Sequence, residues 1–134
     1  MKKILISTAI VFVFLFVFDW LLHGFLMMEM YQETAHIWRS KEAIVDLVWF
    51  TWVFQLALAF FFSYLFDKGY ESKGLGEGVR FGFYMGILIG ILDLRMYPYF
   101  PITEEIAIYW FFGGIFKGLG TGLTLAFAFD KLET

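Results

Sequence analysis

Six side chains in this sequence combine chemical capability with an unexpected location: Asp19, His23, Gln55, Asp93, Arg95 and Lys117. Each lies within or at the edge of a long apolar run. Two carboxylates, an ammonium, a guanidinium, an imidazole and an amide can together pair with one another, hold a polar ligand or relay a proton. Two aspartates at one depth could also act as an acid/base pair. A further group, Glu29, Glu33 and His36, offers metal-ligand chemistry. Glu33 and His36 have the Glu-x-x-His spacing used in di-iron bundles, but those sites take two such copies plus two further glutamates, and this chain has one copy. His23 and His36 are the only histidines and are too far apart along one helix to share an iron, so a haem would need two molecules. No complete catalytic constellation is present, and no cofactor is expected. A metal at Glu29, Glu33 and His36, or an intermolecular haem, stays open as a weaker alternative.

The elements that must position these groups follow from composition. The chain has 134 residues, 60% of them hydrophobic and 17% charged, with 19 Phe and 5 Trp. A soluble domain of this size cannot bury so much apolar side chain, because its surface is too large for its volume. The charges cluster between apolar runs, as in a polytopic membrane protein. A net charge of −3 argues against a nucleic-acid partner, and the absence of Cys excludes disulfides and thiolate metal sites.

Four runs reach the ~20 residues a span needs: about 4–28, 43–66, 79–97 and 106–129. The first, with Lys2 and Lys3 before it, imitates a signal peptide. Its apolar stretch of roughly 25 residues exceeds the ~7–15 of such peptides, so an uncleaved first transmembrane helix is expected. Inside lipid the backbone must satisfy its own hydrogen bonds, which makes the spans helices. The fold expected is all-α: an integral-membrane antiparallel four-helix bundle forming a single domain. The polar, Gly-rich stretch from Asp67 to Gly78 turns the chain between spans two and three. Pro98 and Pro101 stop span three, and Thr103 with Glu104 and Glu105 caps span four. Lys and Arg number six on one side (Lys2, Lys3, Lys68, Lys73, Arg80, Lys131) and three on the other (Arg39, Lys41, Arg95), which points both termini to the cytoplasm.

Residues 29–39 read differently. Met27, Met30, Tyr31, Ala35 and Trp38 recur at helical spacing, with Glu29, Gln32, Glu33, His36 and Arg39 on the other side. This pattern predicts a short helix lying in the outer interface, apolar face down.

Packing signals are also present. Gly82, Gly86 and Gly90 are spaced four apart, as are Gly114, Gly118 and Gly122. Each triplet covers only ~80° of a helix and opens a groove for another backbone. Setting the two grooves together is the simplest arrangement, with a homodimer contact as its competitor. Thr51, Gln55, Ala59 and Ser63 form the small and polar stripe of span two and should face protein. At 1.5 Å per residue, Asp19, Asp93, Lys117 and Gln55 all fall ~16–22 Å from the cytoplasmic edge. An ionised side chain at such depth costs at least ~2.5–3.5 kcal/mol, so Lys117 is expected to pair with Asp19 or Asp93, and the other aspartate then needs His23 or Arg95 as its partner, or is protonated.

The segments "FDWLLHG", "KGYESKGLGEGVRFGFYMGILIG" and "YWFFGGIFKGLGTGL" occur in an order that resembles a group of small four-helix bacterial inner-membrane proteins with no assigned activity. The resemblance implies this topology and location and brings no catalytic residues. The layout also resembles small multidrug exporters, which carry a Glu in helix one and nothing comparable to Lys117. Lipoprotein signal peptidases likewise have four spans and two Asp, but their asparagine motifs are missing here. The function expected is therefore a non-catalytic membrane subunit or small-ligand binder, in a homo-oligomer or a larger membrane complex. A small proton-coupled transporter using Asp19, Asp93 and Lys117 is the alternative, and an intramembrane hydrolase a remote one.

Overall fold

A computed structural model describes residues 1–133, and these residues are helical apart from short connections. The order is α1 (Lys2–Leu21), a π-helical turn (Leu22–Leu26), α2 (Met28–Glu33), a 3-10 turn (Ala35–Ile37), α3 (Lys41–Gly69), α4 (Leu75–Leu94) and α5 (Glu104–Glu133). Four helices are long and apolar enough to cross a membrane: α1 with its π turn, α3, α4 and α5. Large apolar side chains, among them Trp20, Phe25, Trp49, Phe54, Phe83 and Phe116, cover the outside.

Salt bridges set the direction of the helices. Lys3 Nζ lies 3.7 Å from Asp67 and 3.5 Å from Glu133, so both described ends of the chain meet at one end of the bundle, with the α3–α4 turn beside them. This is the near end; residues 27–40 and 95–103 form the far end. Moving from the near end, α1 residues pair with falling residue numbers in α3 and in α5: Lys3 with Asp67 and Glu133, then Asp19 with Gln55 and Lys117.

The α4–α5 contact is backbone against backbone. A Cβ on Gly86 would sit 2.6 Å from the Ile115 carbonyl oxygen, one on Gly90 2.7 Å from that of Phe111, and one on Gly114 2.8 Å from Gly90 N. Gly82 meets Gly118 and Gly78 meets Gly122 still more closely. The two glycine triplets thus interlock, extended by Gly78. On another side of α5, Gly113 receives Leu22 and Gly120 receives the Phe14 ring. α5 is accordingly the central helix, with glycines serving two neighbours.

The near end is closed by Val11, Leu15, Ala59, Phe62, Phe66, Leu125 and Phe129. Glu77 organises the adjoining turn: its carboxylate accepts the backbone N–H of Glu71 at 2.6 Å and of Lys73 at 2.9 Å. Gly74, at φ +81°, makes the left-handed entry into α4 that a residue with a Cβ resists.

Several boundaries differ from the sequence expectation. Span three was expected at 79–97 but occupies Leu75–Leu94. The glycines of "GLGEG" do not delay it, because Glu77 satisfies the turn that precedes the helix. Asp93 consequently falls in the last helical turn. The expected interfacial helix over 29–39 is a single short helix followed by a 3-10 turn, and its apolar stripe covers protein. Met27 is fully buried, and Met30, Tyr31 and Trp38 pack with Ile102, Ile106 and Trp110. The far-end aromatics of α5 supply a partner that interfacial lipid was expected to supply. In α3, Gln55, Ala59 and Ser63 are buried as expected, but Thr51 is exposed, because no residue of α3 before Gln55 is buried. Ser40 caps this half-free helix by accepting Ala43 N–H at 3.2 Å, and Thr103 caps α5 by accepting Ile106 N–H at 3.2 Å.

Gly118→Ala should be strongly destabilising, because the new methyl would strike the Gly86 backbone, which cannot yield like a side chain. Gly76→Ala meets nothing within 4 Å and should be neutral or stabilising by about 0.4–1 kcal/mol. Thermal melts of both variants in mild detergent check the contrast, with Gly118→Ala lower by several degrees.

Candidate functional site

The site is built from α1 upward. Asp19 lies two turns before the end of the continuous helix formed by α1 and its π turn, on an apolar rod where an unpaired carboxylate is costly. Two partners compensate. Lys117 of α5 brings Nζ to 2.6 Å from Asp19 Oδ1, and Gln55 of α3 donates from Nε2 to Oδ2 at 2.7 Å. Three helices are thus tied at one level. The ion pair is mostly shielded, with side-chain exposures of 15% for Lys117 and 22% for Asp19. Lys117 reaches Asp19 as a charge contact rather than along a hydrogen-bond direction, which leaves Oδ1 without a hydrogen-bond donor. The Phe18 ring lies 6.0 Å from Nζ, at the outer limit of a cation–π contact.

Asp93 completes the cluster from α4. It is half-buried, within electrostatic reach of both Lys117 and Asp19. No donor or cation among the described residues pairs with it. Arg95, expected as a partner, is exposed at the end of α4 and forms no such pair. Gln55 is 7% exposed, and its Oε1 also has no hydrogen-bond partner. The balance is therefore uneven. Two carboxylates face one ammonium, and buried acceptors on Asp19 and Gln55 are left over. Ser7, Ser63 and Thr121 place three more unpartnered hydroxyl oxygens inside the bundle nearer the other end.

His23 is also within reach of Asp19 and Lys117 electrostatically, but its hydrogen bond goes elsewhere. His23 Nδ1 lies 2.6 Å from the Tyr31 hydroxyl, which accepts Trp110 Nε1–H at 2.8 Å. Tyr31 has one proton to give. If it goes to Nδ1, the imidazole is protonated at Nε2. If Nδ1 carries a proton, His23 donates, and the Tyr31 hydroxyl turns to Met27 Sδ at 3.6 Å. Trp38 Nε1 donates to Thr34 Oγ1 at 2.8 Å and packs edge-on to Tyr31, which holds the lid segment over the cluster. Burial pushes the Tyr31 phenol up from 10.0 to about 12, against the Trp110 hydrogen bond and with help from the charges of Asp19 and Asp93.

Of the residues singled out by sequence, Asp19, Gln55 and Lys117 converge directly, Asp93 and His23 border them, and Arg95 stands apart. Glu29, Glu33 and His36 are exposed, and among the described residues no three His, Asp or Glu side chains gather as a metal site. Sequence reasoning missed Tyr31, Trp110 and the π turn that contains His23. The signal available was the eight-residue step from His23 to Tyr31, which keeps both near one helical face, together with the need of a buried Tyr or Trp for a polar partner. π turns recur at functional sites because they re-aim side chains.

No protein-family profile, curated protein or solved structure matches this chain.

Lys117→Met leaves Asp19 in the interior without its cation and should cost about 3–5 kcal/mol. Adding Asp19→Asn should restore part of that loss. Denaturation of the single and double variants measures the coupling. For Tyr31, the neutral phenol is favoured in the fold, so its contribution is intact below pH 10 and lost as pH rises through about 12. Tyrosinate absorbance during an alkaline titration should show a component near pH 12 that Tyr31→Phe removes.

Proposed function

We propose that the chain is a non-catalytic, multi-pass membrane protein, an antiparallel four-helix bundle whose interior binds a small cation bearing N–H donors. The reading takes its support from the acceptor excess around Lys117: among the described residues Gln55 Oε1 has no hydrogen-bond partner, Asp93 forms no direct pair, and the carboxylates outnumber the ammonium by one. Asp93 sits in the last turn of α4, whose dipole favours a cation at that point. A protonated amine would donate to Asp93 and Gln55 and neutralise the cluster. By the distribution of Lys and Arg, both termini lie on the cytoplasmic side of the membrane, and the cluster lies toward its outer half; the resemblance to small four-helix proteins points to a bacterial inner membrane. The protein then serves as a ligand-binding unit, alone, as a homo-oligomer or within a larger membrane complex.

A second reading, a small proton-coupled carrier of the same amine, is favoured by α3. None of its residues before Gln55 is buried, so this half can swing without breaking a packed interface. Proton-driven uptake in vesicles, abolished by Asp19→Asn, separates carriage from binding alone.

Methylammonium should raise the melting temperature of the purified protein, by an amount that grows with concentration as linkage requires. Tetramethylammonium, which has no N–H, should not. Asp93→Asn should remove the methylammonium effect. Equal responses of wild type and Asp93→Asn, or no response in wild type, would overturn the proposal.

A further inference from the structure

We infer that the seam between α1 and α5 carries a second site, which takes the hydrocarbon chain of an amphiphile with a cationic head group. A groove of about 530 Å³ runs along this seam, within the size range of ligand pockets. It contains no residue of α3 or α4, so it is separate from Asp93 and Gln55.

Two features shape it. On the α1 side, the π turn contributes Leu22, Phe25 and Leu26, with the Met27 N–H reaching back to the Leu22 carbonyl at 2.8 Å. That wider turn moves these side chains off the ordinary α-helical stripe. On the α5 side, Ile108, Phe112 and Phe116 recur every four residues and form one wall. Gly113 forms the floor. A Cβ there would come within 2.6 Å of Leu22 Cδ2, so the recess exists because the glycine lets Leu22 lie against backbone.

Both walls belong to helices long and apolar enough to span a membrane, and the lining is apolar apart from Tyr109. A hydrocarbon chain matches that surface. The head group is chosen by charge. Glu104 and Glu105 are exposed and stand four residues before Ile108 and Tyr109, on the same stripes of α5, one turn beyond the groove. The far end, taken with the first two turns of α3 and the first turn of α5, holds six carboxylates (Glu29, Glu33, Glu42, Asp46, Glu104, Glu105) against the three cations Arg39, Lys41 and Arg95. A cationic head is attracted there and an anionic head repelled.

The test uses the full chain in phosphatidylcholine vesicles containing nitroxide-labelled amphiphiles of equal chain length, one a quaternary ammonium and the other a sulfate. Electron spin resonance reads the motionally restricted fraction. The cationic probe should associate about threefold more strongly than the anionic one, the size of effect that exposed charge pairs support. Ile108→Trp, which fills the groove from an exposed wall position, should remove the preference. Glu104→Gln with Glu105→Gln should equalise the probes while restricted signal remains. Equal association in wild type, or no change with Ile108→Trp, overturns the proposal. So does conversion of a dimer to a monomer by Ile108→Trp, which would assign the groove to a second copy. Asp93→Asn should leave the probe preference intact, so failure here is distinguishable from failure of the amine site.

Discussion

A charge that cannot leave the interior governs this structure. Lys117 sits midway along the central helix, and on such an apolar rod its charge must find a carboxylate. Asp19 meets it, and Gln55 secures the other carboxylate oxygen. Removing one member of such a pair is far more costly than replacing both with apolar groups, because the survivor is left charged and unsolvated. The contact therefore contributes specificity more than net stability. It selects one axial register of α1, α3 and α5, since sliding any helix by a turn would break it.

The glycine seam makes that register compatible with close packing. α4 and α5 approach until backbone touches backbone, and the apolar cluster of Phe62, Phe66 and Phe129 seals the near end. Nothing equivalent holds the first half of α3. At the far end α1 and α5 stay packed through the Met27, Ile102 and Ile106 cluster and only α3 is loosely held, and the unpartnered oxygens of Asp19 and Gln55 lie at the level where α3 gives way. A rigid base that positions polar groups beneath a less constrained region suits recognition of a small ligand. The same packing that fixes Asp19 and Lys117 leaves Asp93 beside them without a direct pair of its own among the described residues.

Residues 27–38 show how a strong local pattern acquires its partner from elsewhere. The apolar stripe of Met27, Met30, Tyr31 and Trp38 is real, and its spacing is helical. Whether such a stripe meets lipid or protein depends on what stands opposite. Here Trp110 and Ile106 of α5 do, and the Tyr31 hydroxyl joins His23 to Trp110. The stripe becomes a lid, and a histidine that looked like a partner for aspartate is engaged with a tyrosine.

The amino-acid order by itself determined four apolar helices, the two glycine faces and the shared level of Asp19, Gln55 and Lys117 along them. These are properties of one helix at a time: length, period and rise are constant, so position in the chain converts directly into height and angle. Which aspartate takes Lys117, that Arg95 stays outside, that α4 ends just after Asp93, and that the helix following Leu21 widens into a π turn were decided only by tertiary structure. Each depends on contacts between helices, where several pairings have similar local cost and the choice falls to whichever arrangement satisfies the buried charge and the backbone seam together.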